Sequence, residues 1–156
     1  MKKLVVLLVL ALGFATQSIG QEYNSAIGIR GGLSNGLTYK TFISQNTALE
    51  FLLATRWHGI NITALNEIHA QAFDTDGLNW YYGFGAHVGF WNGKDVDWAD
   101  DNESYTVLGI DGIIGLEYNF KDVPINISLD WKPAFNLIGN SDFWGDGGAF
   151  SIRYIF

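Results

Sequence analysis

Two histidines and a set of carboxylates are the residues of this chain best suited to chemistry. His69 and His87 lie in segments of alternating polarity, and Asp111 and Glu117 lie in another. An imidazole oriented by a carboxylate can act as a general base, and beside a serine it would activate the hydroxyl for attack on an ester. Ser104, Ser128 and Ser151 occupy comparable positions, but no nucleophile motif surrounds any of them. Histidines in such a setting serve more often as hydrogen-bonded members of a buried polar network. No catalytic residue and no cofactor is expected.

A second cluster lies between Asn92 and Glu103. Asp95, Asp97, Asp100, Asp101 and Glu103 place five carboxylates in twelve residues. The spacing of Asp95, Asp97 and Asp101 is loosely that of a calcium loop. The glycine at the sixth position and the glutamate at the twelfth are missing from that register, so an EF-hand is excluded. An irregular divalent-cation site is one reading, and a solvated acidic loop is the other.

The elements that must position these residues are strands. Eight segments alternate with a period of two: near 24–32, 35–43, 47–57, 60–71, 79–91, 104–119, 124–134 and 148–156. Thr47 to Trp57 has good helix propensity, yet its charges alternate as in a strand. One set of faces is apolar: Ile27 and Ile29, Leu49, Phe51 and Leu53, Trp80 through Phe90, Ile125 through Trp131. The other set collects the charges. Arg30, Lys40, Arg56, Lys132 and Arg153 oppose Glu50, Glu67, Asp111, Glu117 and Asp130, five of each sign. With His69 and His87 they form an expected interior network. Buried charges are tolerable only when paired, and a narrow eight-stranded barrel is filled by its own side chains. Gly83, Gly85 and Gly89 fall on the inward face and are expected to make room for bulky partners such as Arg or Tyr.

Composition agrees. The chain has no cysteine, which rules out a disulfide scaffold or a thiolate metal site. Its net charge is −7, and nucleic-acid binding would call for a basic face. Residues 1–20 have the layout of a cleaved secretory signal. Lys2 and Lys3 precede an apolar run from Leu4 to Ala15, and small and polar residues follow. Without those two lysines the mature chain, 21–156, would carry −7 − 2 = −9. Trp57, Trp80, Phe90, Trp91, Tyr118, Trp131, Tyr154 and Phe156 lie near strand ends, where membrane girdles sit.

The final segment resembles the C-terminal assembly signal of bacterial outer-membrane barrels. Phe150, Ile152, Tyr154 and Phe156 alternate, and the last is aromatic. The stretch from Asn79 to Trp91, together with Leu129 to Phe135, resembles a group of small outer-membrane barrels of Bacteroidetes-type bacteria. The architecture is similar to that of OmpA/OmpX-type barrels. That resemblance implies an all-β fold, an eight-stranded antiparallel up-and-down transmembrane β-barrel, with no assigned chemistry. The implied partners are outer-membrane lipid, lipopolysaccharide and the assembly machinery that reads the last strand. Short turns would then face the periplasm at 44–46, 74–77 and 121–123. Longer loops, 92–103 and 136–147, would face outward, with an extracellular partner unspecified. A lipid A-modifying enzyme and a soluble lipocalin-like carrier of an apolar ligand are the alternatives.

Overall fold

The computed structural model describes residues 23–56, 58–92, 103–139, 141–145 and 147–156. The regular structure among them is entirely β-strand. In chain order the strands are β1 (Ser25–Gly32), β2 (Asn35–Phe42), β3 (Thr47–Arg56), β4 (Gly59–Gln71) and β5 (Leu78–Asn92). They continue as β6 (Ser104–Asn119), β7 (Ile125–Trp131), β8 (Ala134–Ile138), β9 (Phe143–Trp144) and β10 (Gly148–Ile155). The segment with helix propensity, 47–56, is a strand because both its edges are paired, to β2 and to β4. Tertiary pairing overrides local preference there.

Strands β1 to β7 each pair antiparallel with the next, and β10 pairs with both β7 and β1. The result is a closed eight-stranded antiparallel β-barrel. Closure is in register over seven residue pairs, from Ala26 opposite Ile155 to Gly32 opposite Ala149. Closure leaves the ring without an edge strand.

The segment 136–147, expected as a loop, is partly β-structure. Pro133 ends β7 but not the ladder. The Gly112 N–H donates to the Pro133 carbonyl at 2.9 Å, and β8 resumes pairing with β6 from Asp111 opposite Ala134. Proline lacks an N–H, so it sits where the ladder needs an acceptor. β9 folds back on β8 and brings Trp144 over one end of the barrel.

Alternation puts one face of every strand inside. The exterior is apolar and open: Ile29 is 63 %, Leu129 64 % and Phe84 71 % exposed. The interior is mostly polar, with two small apolar clusters. Leu52, Leu65, Tyr81 and Ile113 form one, and Trp91, Val107, Ala134 and Trp144 the other. Trp91 therefore departs from the expected girdle. It is buried, because its position has the parity of Tyr81 and His87, which also point inward.

The expected glycine partners also change. A Cβ on Gly89 or Gly59 would collide with the Trp91 indole. One on Gly83 or Gly85 would strike the β4 backbone at Asn66 and Ala64. Those two glycines permit close strand approach rather than room for Arg or Tyr. Gly115 does abut the Tyr81 ring, at 2.7 Å from where its Cβ would stand.

Candidate functional site

The barrel interior holds the chemistry-bearing side chains in layers. At the barrel end nearest Tyr23 and Phe156, Lys40 Nζ lies 2.7 Å from Glu67 Oε2 and 3.4 Å from Glu117 Oε2. His69 sits between the same two carboxylates. Its Nε2 is 3.1 Å from Glu67 Oε2 and its Nδ1 is 3.2 Å from Glu117 Oε1, the latter off hydrogen-bonding alignment. The Tyr23 hydroxyl donates to Glu117 at 3.3 Å. Tyr81 stacks on the imidazole with ring centroids 5.0 Å apart.

Arg153 organises the next layer. One terminal nitrogen meets Glu50 Oε1 at 2.5 Å. The other donates to Asn126 Oδ1 at 3.0 Å and to Ser128 Oγ at 2.8 Å. Its Nε donates to Thr38 Oγ1 at 3.1 Å, and that hydroxyl donates to Glu50 at 2.5 Å. Three other strands, β2, β3 and β7, thus converge on a side chain of β10.

Above it, Arg30 forks onto both oxygens of Asp130 at 2.5 and 2.6 Å, and the Tyr81 hydroxyl donates to Asp130 at 2.9 Å. Higher still, Asp111 receives Lys132 at 2.5 Å and faces His87 Nδ1 at 2.7 Å. His87 Nε2 is 2.9 Å from Asn136 Oδ1.

The mouth is closed by aromatic rings. Trp144 stacks on His87 at 5.9 Å and meets Trp91 edge-on at 5.6 Å. Arg56 lies over the Trp144 ring at 5.1 Å. Trp91 Nε1 donates to the Arg56 carbonyl, and Trp131 Nε1 donates from outside to the Gly145 carbonyl at 2.7 Å. A void of about 30 Å³ remains beneath Trp144, lined in part by Arg30, Arg56 and Lys132. That suits one or two water molecules rather than a carried ligand.

All twelve network residues named from the sequence line this interior, with Arg56 and Lys132 only half-buried toward the mouth. Their pairing departs from simple register. Lys40 stands opposite Glu50 but binds Glu67 and Glu117. Sequence reasoning did not name Thr38, Tyr81, Trp91, Asn126, Asn136 and Trp144 as network members. Strand parity alone carried the signal for all but Asn136 and Trp144, which belong to the hairpin read as loop.

Among the described residues none of the three serines makes a hydrogen bond to a histidine. Ser128 is engaged by Arg153, Ser151 is buried against β1 and β7, and Ser104 is exposed at the far end of β6. The nitrogen of His87 that would serve a hydroxyl is occupied by Asn136. Asp95, Asp97, Asp100 and Asp101 lie outside the described residues. Glu103 is exposed and accepts from the Tyr105 hydroxyl at 3.3 Å. Phe150, Ile152 and Tyr154 point outward from β10. Phe156 follows that strand, and its backbone exchanges both hydrogen bonds with Ser25. At the barrel end nearest Tyr23 and Phe156, Lys121 Nζ contacts Asp76 at 2.8 Å and ties two turns together. That hydrogen bond, with the ammonium charge, holds the Asp76 carboxyl below its usual range.

Fold and interior together define a closed β-barrel plugged by its own ion pairs and capped by tryptophan. No family model matches the chain, and no curated protein shows significant similarity to it.

Proposed function

We propose that this chain is a non-enzymatic barrel of the bacterial outer membrane that acts through its surface. The observation carrying this reading is inverted polarity. Charged side chains fill the interior, while Ile29, Phe84, Leu129 and their neighbours face outward. In lipid that arrangement satisfies both faces, since the wall is buried in hydrocarbon and the interior is paired within itself. A water-soluble carrier would need the opposite arrangement, with an apolar lumen and charges outside. The plug also argues against a pore. Signal cleavage near residue 20, insertion guided by the last strand, and contact through 93–102 and 139–147 complete the proposal. Lipid and lipopolysaccharide are the expected neighbours.

The test is cell fractionation followed by gel electrophoresis with and without boiling. Recovery with outer membranes, with a mobility shift on heating, supports the proposal. Recovery in the soluble periplasm with unchanged mobility refutes it.

A further inference from the structure

We infer that His69 is doubly protonated in the folded protein and is the fourth charge of a closed ring at the barrel floor. The ring runs Lys40, Glu67, His69, Glu117 and back to Lys40, alternating in sign. Its four spacings are 2.7, 3.1, 3.2 and 3.4 Å. Geometry carries the assignment. A neutral imidazole has one N–H and one bare lone pair. Each ring nitrogen of His69 lies within 3.2 Å of a carboxylate oxygen, and carboxylates only accept. A neutral ring would set its lone pair against an anion in a site that water barely reaches.

Charge balance points the same way. Glu50, Glu67 and Glu117 contribute three negative charges to the two lower layers. Lys40 and Arg153 contribute two positive ones, so 3 − 2 leaves one carboxylate without a cation. A buried carboxylate left without a counter-ion is costly. Around the imidazole stand Lys40 and Phe42 from β2, Tyr81 from β5, Glu117 from β6, Glu67 from its own strand and Tyr23 ahead of β1. Glu50 of β3 and Arg153 of β10 pair with each other in the layer above. Among the described residues no other positive group fills the deficit, so a proton held by His69 acts as a structural ligand of the floor.

His87 is the internal contrast. Asp111 faces its Nδ1, but Nε2 faces an amide, and Asn136 Nδ2 is buried without a partner. An amide can offer either its oxygen or its NH₂ to that nitrogen, so the contact does not demand a second proton on the ring. Asp111 already has Lys132.

The competing seat for the proton lies between Glu50 and Glu67, whose Oε2 and Oε1 atoms are buried without donors. The closest ammonium contact, from Lys40, falls on Glu67 and favours its ionised form. The experiment is nitrogen NMR of histidine side chains in the folded, isotope-labelled protein at neutral pH. Assignment uses His58→Gln and His87→Gln. The expected result is two protonated ring nitrogens for His69. One bare nitrogen on His69, with a protonated carboxyl on Glu67, overturns the inference. Glu67→Gln supplies a second test that leaves the histidine in place. With two carboxylates against two cations, His69 should lose its second proton at the same pH. Retention of both protons in that variant also overturns it.

Discussion

Arg30 and Asp130 stand 100 residues apart in the chain and meet across the barrel interior as a two-pronged ion pair. Both side chains are sealed from solvent. Removing one partner strands the other charge, at a cost of about 3–5 kcal/mol. Asp130→Leu is expected to show that loss, and it also orphans the Tyr81 hydroxyl. Arg30→Met with Asp130→Leu removes both charges and should cost far less than the two single changes summed. Denaturant unfolding of the four proteins measures the coupling.

Gly89→Ala should disturb the mouth. The added methyl group meets the Trp91 indole, which is itself packed against Trp144. Overpacking of this kind costs about 1–3 kcal/mol. Gly148→Ala is the control, since a methyl group there meets nothing within 4 Å. Equal unfolding midpoints for the two variants would contradict the placement of Trp91.

Trp144→Ala removes the cap. A large-to-small change at a buried tryptophan costs about 3–5 kcal/mol. The variant should also admit small solutes to the upper interior. Iodide should therefore quench a larger fraction of tryptophan fluorescence, although one indole has been deleted. An unchanged or smaller quenchable fraction would mean that Trp144 does not seal the mouth.

Leu129→Arg separates the membrane proposal from its soluble rival. The side chain is exposed on the outer wall. In a bilayer midplane an arginine on that wall costs about 2–4 kcal/mol. In water an exposed substitution stays within about 0.5 kcal/mol. Folding into lipid vesicles, followed by urea titration, distinguishes the two.

Asp76 supplies the pH dependence. Its carboxyl titrates below the roughly 3.9 of a free aspartate because Lys121 donates to it. A depressed value in the folded state adds stability above the unfolded value, and this is lost as pH falls through the folded one. Both groups are well exposed, so salt screens the contribution. Lys121→Ala should raise the Asp76 midpoint, as followed by carboxyl NMR titration, and leave the neutral-pH unfolding midpoint unchanged.

Period-two alternation made the strands legible, because inside and outside differ in polarity at almost every step. Ile29 and Arg30 are adjacent in sequence and face opposite solvents. The partners within the interior were not legible. They depend on stagger between strands, which brings Lys40 to Glu117 across 77 residues. Pro133 interrupts β7 without ending the ladder, since its missing N–H matters only where the ladder needs a donor. Trp91 was misplaced by its nearness to a strand end, although its parity was correct. Asn136 and Trp144 had no readable pattern, because β8 and β9 are too short to show a period.

The wall of the barrel is uneven. β5 and β6 have 15 and 16 residues, whereas β1, β2 and β10 have 8 each. Eight extra residues add about 27 Å along the strand. A flat rim would present the same face from every compass direction, and this rim does not. The two long strands are neighbours on one side of the ring and the three short ones on the other, so the molecule has a front and a back. Two copies lying side by side would be distinguishable by their heading, and each would offer its neighbour a tall wall or a short one according to how it is turned.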